Sequence, residues 1–343
     1  MQVFRAGDRG PEVADIQTRL VALGAVIDDA EREGRFGPST AGAVRWFQGE
    51  RNLRVDGLVG PDTWEQLVEA GWRLGDRTLY LRNPFFRGDD VRDLQRKLNG
   101  LGFDAGKEDG LYGPGTDVAL RQFQRNVGDQ PDGIVGPHTL SVLRRMRPPE
   151  AGPSRAVVRE REQLTTPRGP IQGRVIVVDV GDGPESGGDA HQRAADALVD
   201  ELRAAGANPM VVGGDGDAPP PSERARSANE AGAAVCITLE LTARDRSGPG
   251  GPVCSYFGSR TTHSPTGLVL AQLILEELEA ELELAGRIQP LTIAQLRETR
   301  MPAVQVEPLT GVGPREKAIL ARPDLASRVG RAIAMGVRRF FSA

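Results

Sequence analysis

The amino-acid sequence predicts a multidomain chain: two small three-helix all-α modules, then an α/β domain with a mostly parallel sheet. Three observations carry this expectation. One helical pattern occurs twice, the composition breaks after it, and strand-like and helical runs alternate beyond the break. The chain has 343 residues, and at roughly 150 residues per domain that length suits two or three domains.

The two copies come first. "GRFGPSTAGAVRWFQ" (34–48) matches "GLYGPGTDVALRQFQ" (110–124), and "VDGLVGPDTWEQL" (55–67) matches "PDGIVGPHTLSVL" (131–143). Gly37 and Gly113, Gln48 and Gln124, and Gly57 and Gly133 are each 76 positions apart. Upstream, "VADIQTRLVALG" (13–24) matches "VRDLQRKLNGLG" (91–102) at an offset of 78, so the intervening loops differ by two residues. In the first helix Val13, Ile16, Leu20 and Leu23 share one face, as do Val91, Leu94, Leu98 and Leu101. In the second, Val44 and Phe47 correspond to Leu120 and Phe123. The third opens at "GPDTW" or "GPHTL", where proline suits the first helical position, shortly after a D-G turn signal. Most of the repeated glycines and aromatics read as maintaining the fold. The modules are assigned to 4–72 and 78–145. The stretch "RRMRPPEAGPSRAVVREREQLTTPRGPIQG" (144–173) turns to proline, glycine and charge, which makes 146–173 a linker.

The remaining segment, 174–343, alternates. "RVIVVDV", "PMVVGG", "AAVCITLEL", "GPVCSYFG" and "MPAVQVEP" read as strands. "AHQRAADALVDELRAAG" and "SERARSANEAG" read as helices, and "PDLASRVGRAIAMGVRRFF" as a closing helix. A long helix opens at Ser264-Pro265, a cap followed by a first-turn proline, and carries a stripe of Leu268, Ala271, Leu275, Leu278 and Leu282. Sites in such sheets lie at the carboxyl ends of the strands. That rule puts Asp182, Glu240 and Glu307 in one crevice.

Composition narrows the function classes. The net charge is -4 and no long basic run occurs, so nothing points to nucleic acid. Cys236 and Cys254 sit in apolar strand-like runs and read as buried free thiols. His138, His191 and His263 show no zinc-ligand spacing. No stretch approaches the roughly 18 apolar residues of a membrane span. The opening "MQVFRAGDRG" lacks a basic segment followed by an apolar one, which predicts a cytoplasmic location.

The helical copies resemble the peptidoglycan-binding family of small three-helix modules. "LQ..L..LG", "DG.YG..T..AL..FQ" and "DGIVGP.T...L" are nearly complete in the second copy, while the first has Glu33 where the second has Asp109. The resemblance implies binding of a peptidoglycan fragment or a lipid-linked precursor. From Arg174 the chain resembles the zinc-dependent N-acetylmuramoyl-L-alanine amidases. "LRETRMPAVQVEP" (296–308) is close to the family segment that ends in the catalytic glutamate, which gives Glu307 that role, in vestigial form. Such an amidase holds Zn2+ with two histidines and a glutamate, and the metal polarises the amide carbonyl and activates water. Here the first histidine position is Asp182 and the second is Glu240. The glutamate position falls in "SGGDAHQ", close to Asp189 and His191.

Carboxylates favour harder ions than imidazoles do, and clustered acids without a metal repel one another. Three readings follow: a pocket without a metal at the former ligand positions, an altered metal site using Asp182, Glu240 and either Asp189 or His191, or an ordinary zinc site. The first carries forward: no metal and no cofactor, with Zn2+ expected only for an active amidase. Tandem modules, no export signal and an amidase frame lacking its histidines together resemble the actinobacterial CwlM-like group. That resemblance implies a cytoplasmic, non-hydrolytic regulator of peptidoglycan synthesis whose partner is the enolpyruvyl transferase of the precursor pathway. The sequence departs from the group in ending at "RRFFSA", without its C-terminal tail. The alternative is an active N-acetylmuramoyl-L-alanine amidase with an altered metal site.

Overall fold

The structure, a computed structural model, describes residues 3–146, 155–165, 168–181, 188–214, 218–240, 250–310 and 313–342, with only the main chain at 188–191. The chain divides into two compact units, Met1–Arg159 with Ser259–Thr262, and Glu160–Gly258 with His263–Ala343.

In the first unit the repeat becomes six helices: α1 (Pro11–Ala22), α2 (Pro38–Glu50) and α3 (Pro61–Glu69), then α4 (Asp89–Gly100), α5 (Pro114–Asn126) and α6 (Pro137–Arg145). Five of them, α1, α2, α3, α5 and α6, begin with proline directly after a glycine, where its missing N–H leaves no bond unmade. The apolar faces meet as expected. Val13, Ile16, Leu20, Val44, Phe47 and Leu67 fill one core, and Val91, Leu94, Leu98, Leu120, Phe123 and Leu143 fill the other.

The repeated glutamines have a specific task. Gln124 is buried, and its Nε2 donates to Asp132 Oδ1 at 2.8 Å, to the Ile134 carbonyl at 3.1 Å and to Thr139 Oγ1 at 3.3 Å. Its Oε1 accepts from the Gly133 N–H at 2.9 Å. Gln48 makes the same four bonds to Asp56, Leu58, Thr63 and Gly57. Gln95 does so for the preceding turn of its module, through Asp109, Leu111, Thr116 and Gly110. Each clasp satisfies buried polar groups that would otherwise be costly. The glycine in each turn sits at positive φ (78° at Gly57, 72° at Gly133, 78° at Gly110), a conformation glycine adopts without strain.

Gln17 differs because Glu33 stands where the second module has Asp109. It donates instead to the Glu31 and Arg35 carbonyls and to Thr40 Oγ1. The Glu31 side chain takes up the anionic part. It accepts from the Ser39 N–H, the Thr40 N–H and the Thr40 hydroxyl at the start of α2. Burial alone would raise its pKa, but these bonds outweigh burial and hold the carboxyl below its usual range.

The stretch 146–173 contains a helix, α7 (Arg155–Thr165). In the second unit follow β1 (Val175–Val180), α8 (Gly188–Ala204), β2 (Asn208–Gly213), α9 (Pro221–Glu230), β3 (Val235–Leu239), β4 (Val253–Phe257), α10 (Pro265–Leu282), β5 (Arg287–Leu291), α11 (Ala294–Glu298), β6 (Ala303–Glu307), α12 (Pro314–Leu320) and α13 (Leu325–Ser342). Ser264 caps α10 as expected, accepting from the Gly267 N–H at 3.1 Å. Glu160 of α7 buries its carboxylate at the same helix end, accepting from Thr266 Oγ1 at 2.7 Å.

The six strands lie in the order β2-β1-β3-β6-β4-β5, and all pair parallel except β4 with β6. One face carries Ile176, Val178, Val180, Ile237, Leu239 and Val306 against α8, α10 and α13. Gly336 of α13 passes so close to α10 that an added Cβ would sit 2.6 Å from Ile274 Cα. Cys236 and Cys254 are buried and not joined in a disulfide. Among the described residues no helix is long and apolar enough to cross a membrane.

Candidate functional site

The second face of the sheet changes character along the strands. Side chains alternate on a strand, so every second residue faces the same way. Near the amino end of β1 this face is apolar, with Val177, Cys236, Ala303 and Phe257 in one cluster with Leu296 of α11. One step further the register aligns Asp179, Thr238, Gln305 and Ser255 across β1, β3, β6 and β4. All four are buried. Thr238 Oγ1 donates to Asp179 Oδ2 at 3.0 Å. Arg224 reaches in from α9, with its Nε 2.8 Å from Asp179 Oδ1 and its Nη1 donating to the Pro219 carbonyl at 2.8 Å. Both members of that ion pair are about 98% buried, so each charge depends on its partner.

The next step is the carboxyl end of the strands. The Gly181 N–H donates to the Leu239 carbonyl and the Glu240 N–H to the Val306 carbonyl, so parallel pairing continues one residue past the strands. Glu240 and Glu307 thereby become neighbours. Glu307 is 1% exposed. Between them lies Gln305: its Nε2 donates to Glu240 Oε2 at 2.7 Å and to Glu307 Oε1 at 3.3 Å. A single amide thus links the two carboxylates with bonds strengthened by their charge. Cys254 lies on the neighbouring strand, and burial, then the Glu307 and Glu279 charges, push its thiol far above its ordinary range. It stays a neutral thiol rather than a thiolate ligand.

Of the residues expected from sequence, Glu240 and Glu307 come together. Asp182 lies outside the described residues. Asp189 and His191 lie in the first turns of α8, where only the main chain is described. Gln305 was not expected. Its signal is the period of two in "AVQVE", which puts it on the face of Glu307. Asp179 and Arg224 were likewise missed, although a lone acid within "VIVVDV" is a mark of a buried partner.

The described residues do not suit Zn2+. Glu240 and Glu307 are both carboxylates, and an N–H donor, which a cation would repel, is aimed at both. No group of three His, Cys, Asp or Glu among the described residues is arranged to hold a metal ion.

Comparison with known proteins agrees with this frame. Residues 9–67 and 87–143 match the family described as "Putative peptidoglycan binding domain", and residues 176–339 match the family N-acetylmuramoyl-L-alanine amidase. The chain is 34% identical over 365 residues to N-acetylmuramoyl-L-alanine amidase CwlM of Mycobacterium tuberculosis, covering 98% of this chain and 89% of that protein. It is 33% identical over 156 residues to a probable N-acetylmuramoyl-L-alanine amidase of Bacillus licheniformis, covering 41% of this chain and 44% of that one. The crystal structure of the amidase Ami1 from Mycobacterium smegmatis superposes with a TM-score of 0.44 at 18% identity, over 50% of this chain and 98% of that chain. The chain belongs to the N-acetylmuramoyl-L-alanine amidase family, with two peptidoglycan-binding modules ahead of its amidase domain.

Proposed function

We propose that this chain is a non-hydrolytic member of its family: a cytoplasmic protein that binds a peptidoglycan fragment or lipid-linked precursor and regulates wall synthesis. The observation that supports this reading best is the Gln305 amide between Glu240 and Glu307. Amide hydrolysis needs an activated water and a stabilised oxyanion. Glu307 alone supplies neither, and the Gln305 amide presents it with a hydrogen-bond donor where the amidases it resembles have a cation nearby. The amidase frame then serves as a binding or docking domain, and the modules supply the wall ligand. The enolpyruvyl transferase of the precursor pathway is the partner proposed for the regulatory step.

Incubation of the full chain with disaccharide-pentapeptide muropeptide and Zn2+, Mn2+ or Ca2+ tests this. No peptide release is expected with any ion. Release that disappears in Glu307→Gln would establish the opposite reading, an amidase with an altered metal site. That second reading is favoured by one observation, the adjacency of Glu240 and Glu307 at the strand ends. Capture of lipid-linked precursor in preference to polymeric wall, with the transferase retained on immobilised protein, is expected for the regulator.

A further inference from the structure

The two helical modules are copies, so their differences are informative. In the first, Phe4 pairs with Val59 and Arg9 pairs with Arg35, five positions later. In the second, the Val135 N–H bonds to Leu79 and the matching bridge is Arg87 with Leu111, eight positions after Leu79. The second module therefore carries three extra residues here, and the stretch they lengthen, "YLRNPF" (80–85), is exposed throughout. Tyr80 is 43% exposed, Leu81 40% and Phe85 38%. Single exposed apolar residues need no explanation, but several together mark a contact surface.

The stretch is held rather than loose. The buried Phe86 ring is its hub: Tyr80 meets it edge-on with centroids 5.3 Å apart, and the Arg82 guanidinium stacks over it at 3.8 Å. Arg77 stacks on Phe86 at 4.9 Å and on Trp72 at 4.2 Å. The arginines differ in charge balance. Arg77 pairs with Asp90, and Arg87 lies near Glu65 and Glu69. Arg82 has no carboxylate partner among the described residues, so its charge is available to a ligand. Exposed rings on a fixed support offer flat apolar area at little entropic cost, which suits the C–H faces of sugar rings. An available guanidinium suits a carboxylate.

We propose that 80–85 is the ligand platform of the second module: Tyr80 and Phe85 stack on the sugars of a wall fragment, and Arg82 takes a carboxylate of its peptide. This rests on the reading that the modules bind wall fragments. Calorimetric titration of the full chain with disaccharide-pentapeptide muropeptide tests it. Tyr80→Ala with Phe85→Ala is expected to weaken binding by about tenfold or more, and Arg82→Glu by about tenfold, with the helical circular dichroism unchanged. Trp46→Ala, which removes an exposed ring of the first module, is expected to leave binding as it is. Wild-type affinity in both platform variants would overturn the platform while leaving the wall-binding reading standing. No binding by the wild-type chain would overturn that reading and the platform with it.

Discussion

Glutamine amides close polar clusters in both regions of this molecule, but to different ends. In the helical modules Gln48, Gln95 and Gln124 each tie one turn to one helix, with backbone and neutral hydroxyl groups among their partners. In the α/β domain Gln305 ties two carboxylates to each other at the strand ends. The first use holds a fold together and is repeated wherever the turn is repeated. The second occurs at the carboxyl ends of the strands, where sites in such sheets lie. The nature of the partners, rather than the glutamine, separates a structural clasp from a changed site.

Four substitutions probe this contrast, from the largest expected effect to the smallest. Arg224→Leu should cost about 3–5 kcal/mol of α/β-domain stability, because it leaves Asp179 charged, buried and without its cation. A loss under about 1 kcal/mol in urea unfolding would mean the polar row is not a structural base for the site. Gln124→Ala should cost the second module about 3 kcal/mol, since several buried groups lose a partner at once. If the melting profile barely moves, the clasp explanation of the repeated glutamine is wrong. Gln305→Leu should cost only about 1–2 kcal/mol, because Glu240 is partly exposed and the bond to buried Glu307 is the long one, at 3.3 Å. A cost as large as that of Gln124→Ala would make Gln305 another fold clasp and erase the distinction.

Glu31→Gln should cost about 1 kcal/mol, the scale of a helix cap. Its pH dependence is specific. The folded carboxyl titrates below the ordinary glutamate value of about 4.3. Its stabilisation is therefore complete above that value and fades as pH falls through the depressed one. Stability curves of wild type and variant should converge on the acid side of pH 4, and parallel curves would contradict the assignment.

The modules were legible in sequence because their fold is local and stated twice. Gln48 and Gln124, with Gly57 and Gly133, recur at one spacing, and the apolar stripes of α1 and α4 need no distant partner. Strands β1, β3, β4 and β6 were legible as apolar runs. Strand β5 was not: "RIQPL" holds an arginine and a proline and gains its place only by pairing with β4. Helix α7 was hidden because "RAVVREREQLT" reads as a charged linker, and Glu160 acquires its role only at the distant end of α10. The site was half legible. Glu240 and Glu307 follow from the strand-end rule, and the period of two puts Gln305 on the face of Glu307, but its bond to Glu240 comes from register between β3 and β6, which spacing within one segment does not reveal.

The proposed function rests on an amide, rather than a cation, joining Glu240 and Glu307. Metal stoichiometry of the full chain, measured by equilibrium dialysis against Zn2+ followed by elemental analysis, tests it most directly. The expected result is no zinc bound above that of a chain carrying Glu240→Gln and Glu307→Gln. One zinc per chain, lost in that double variant, would contradict the account.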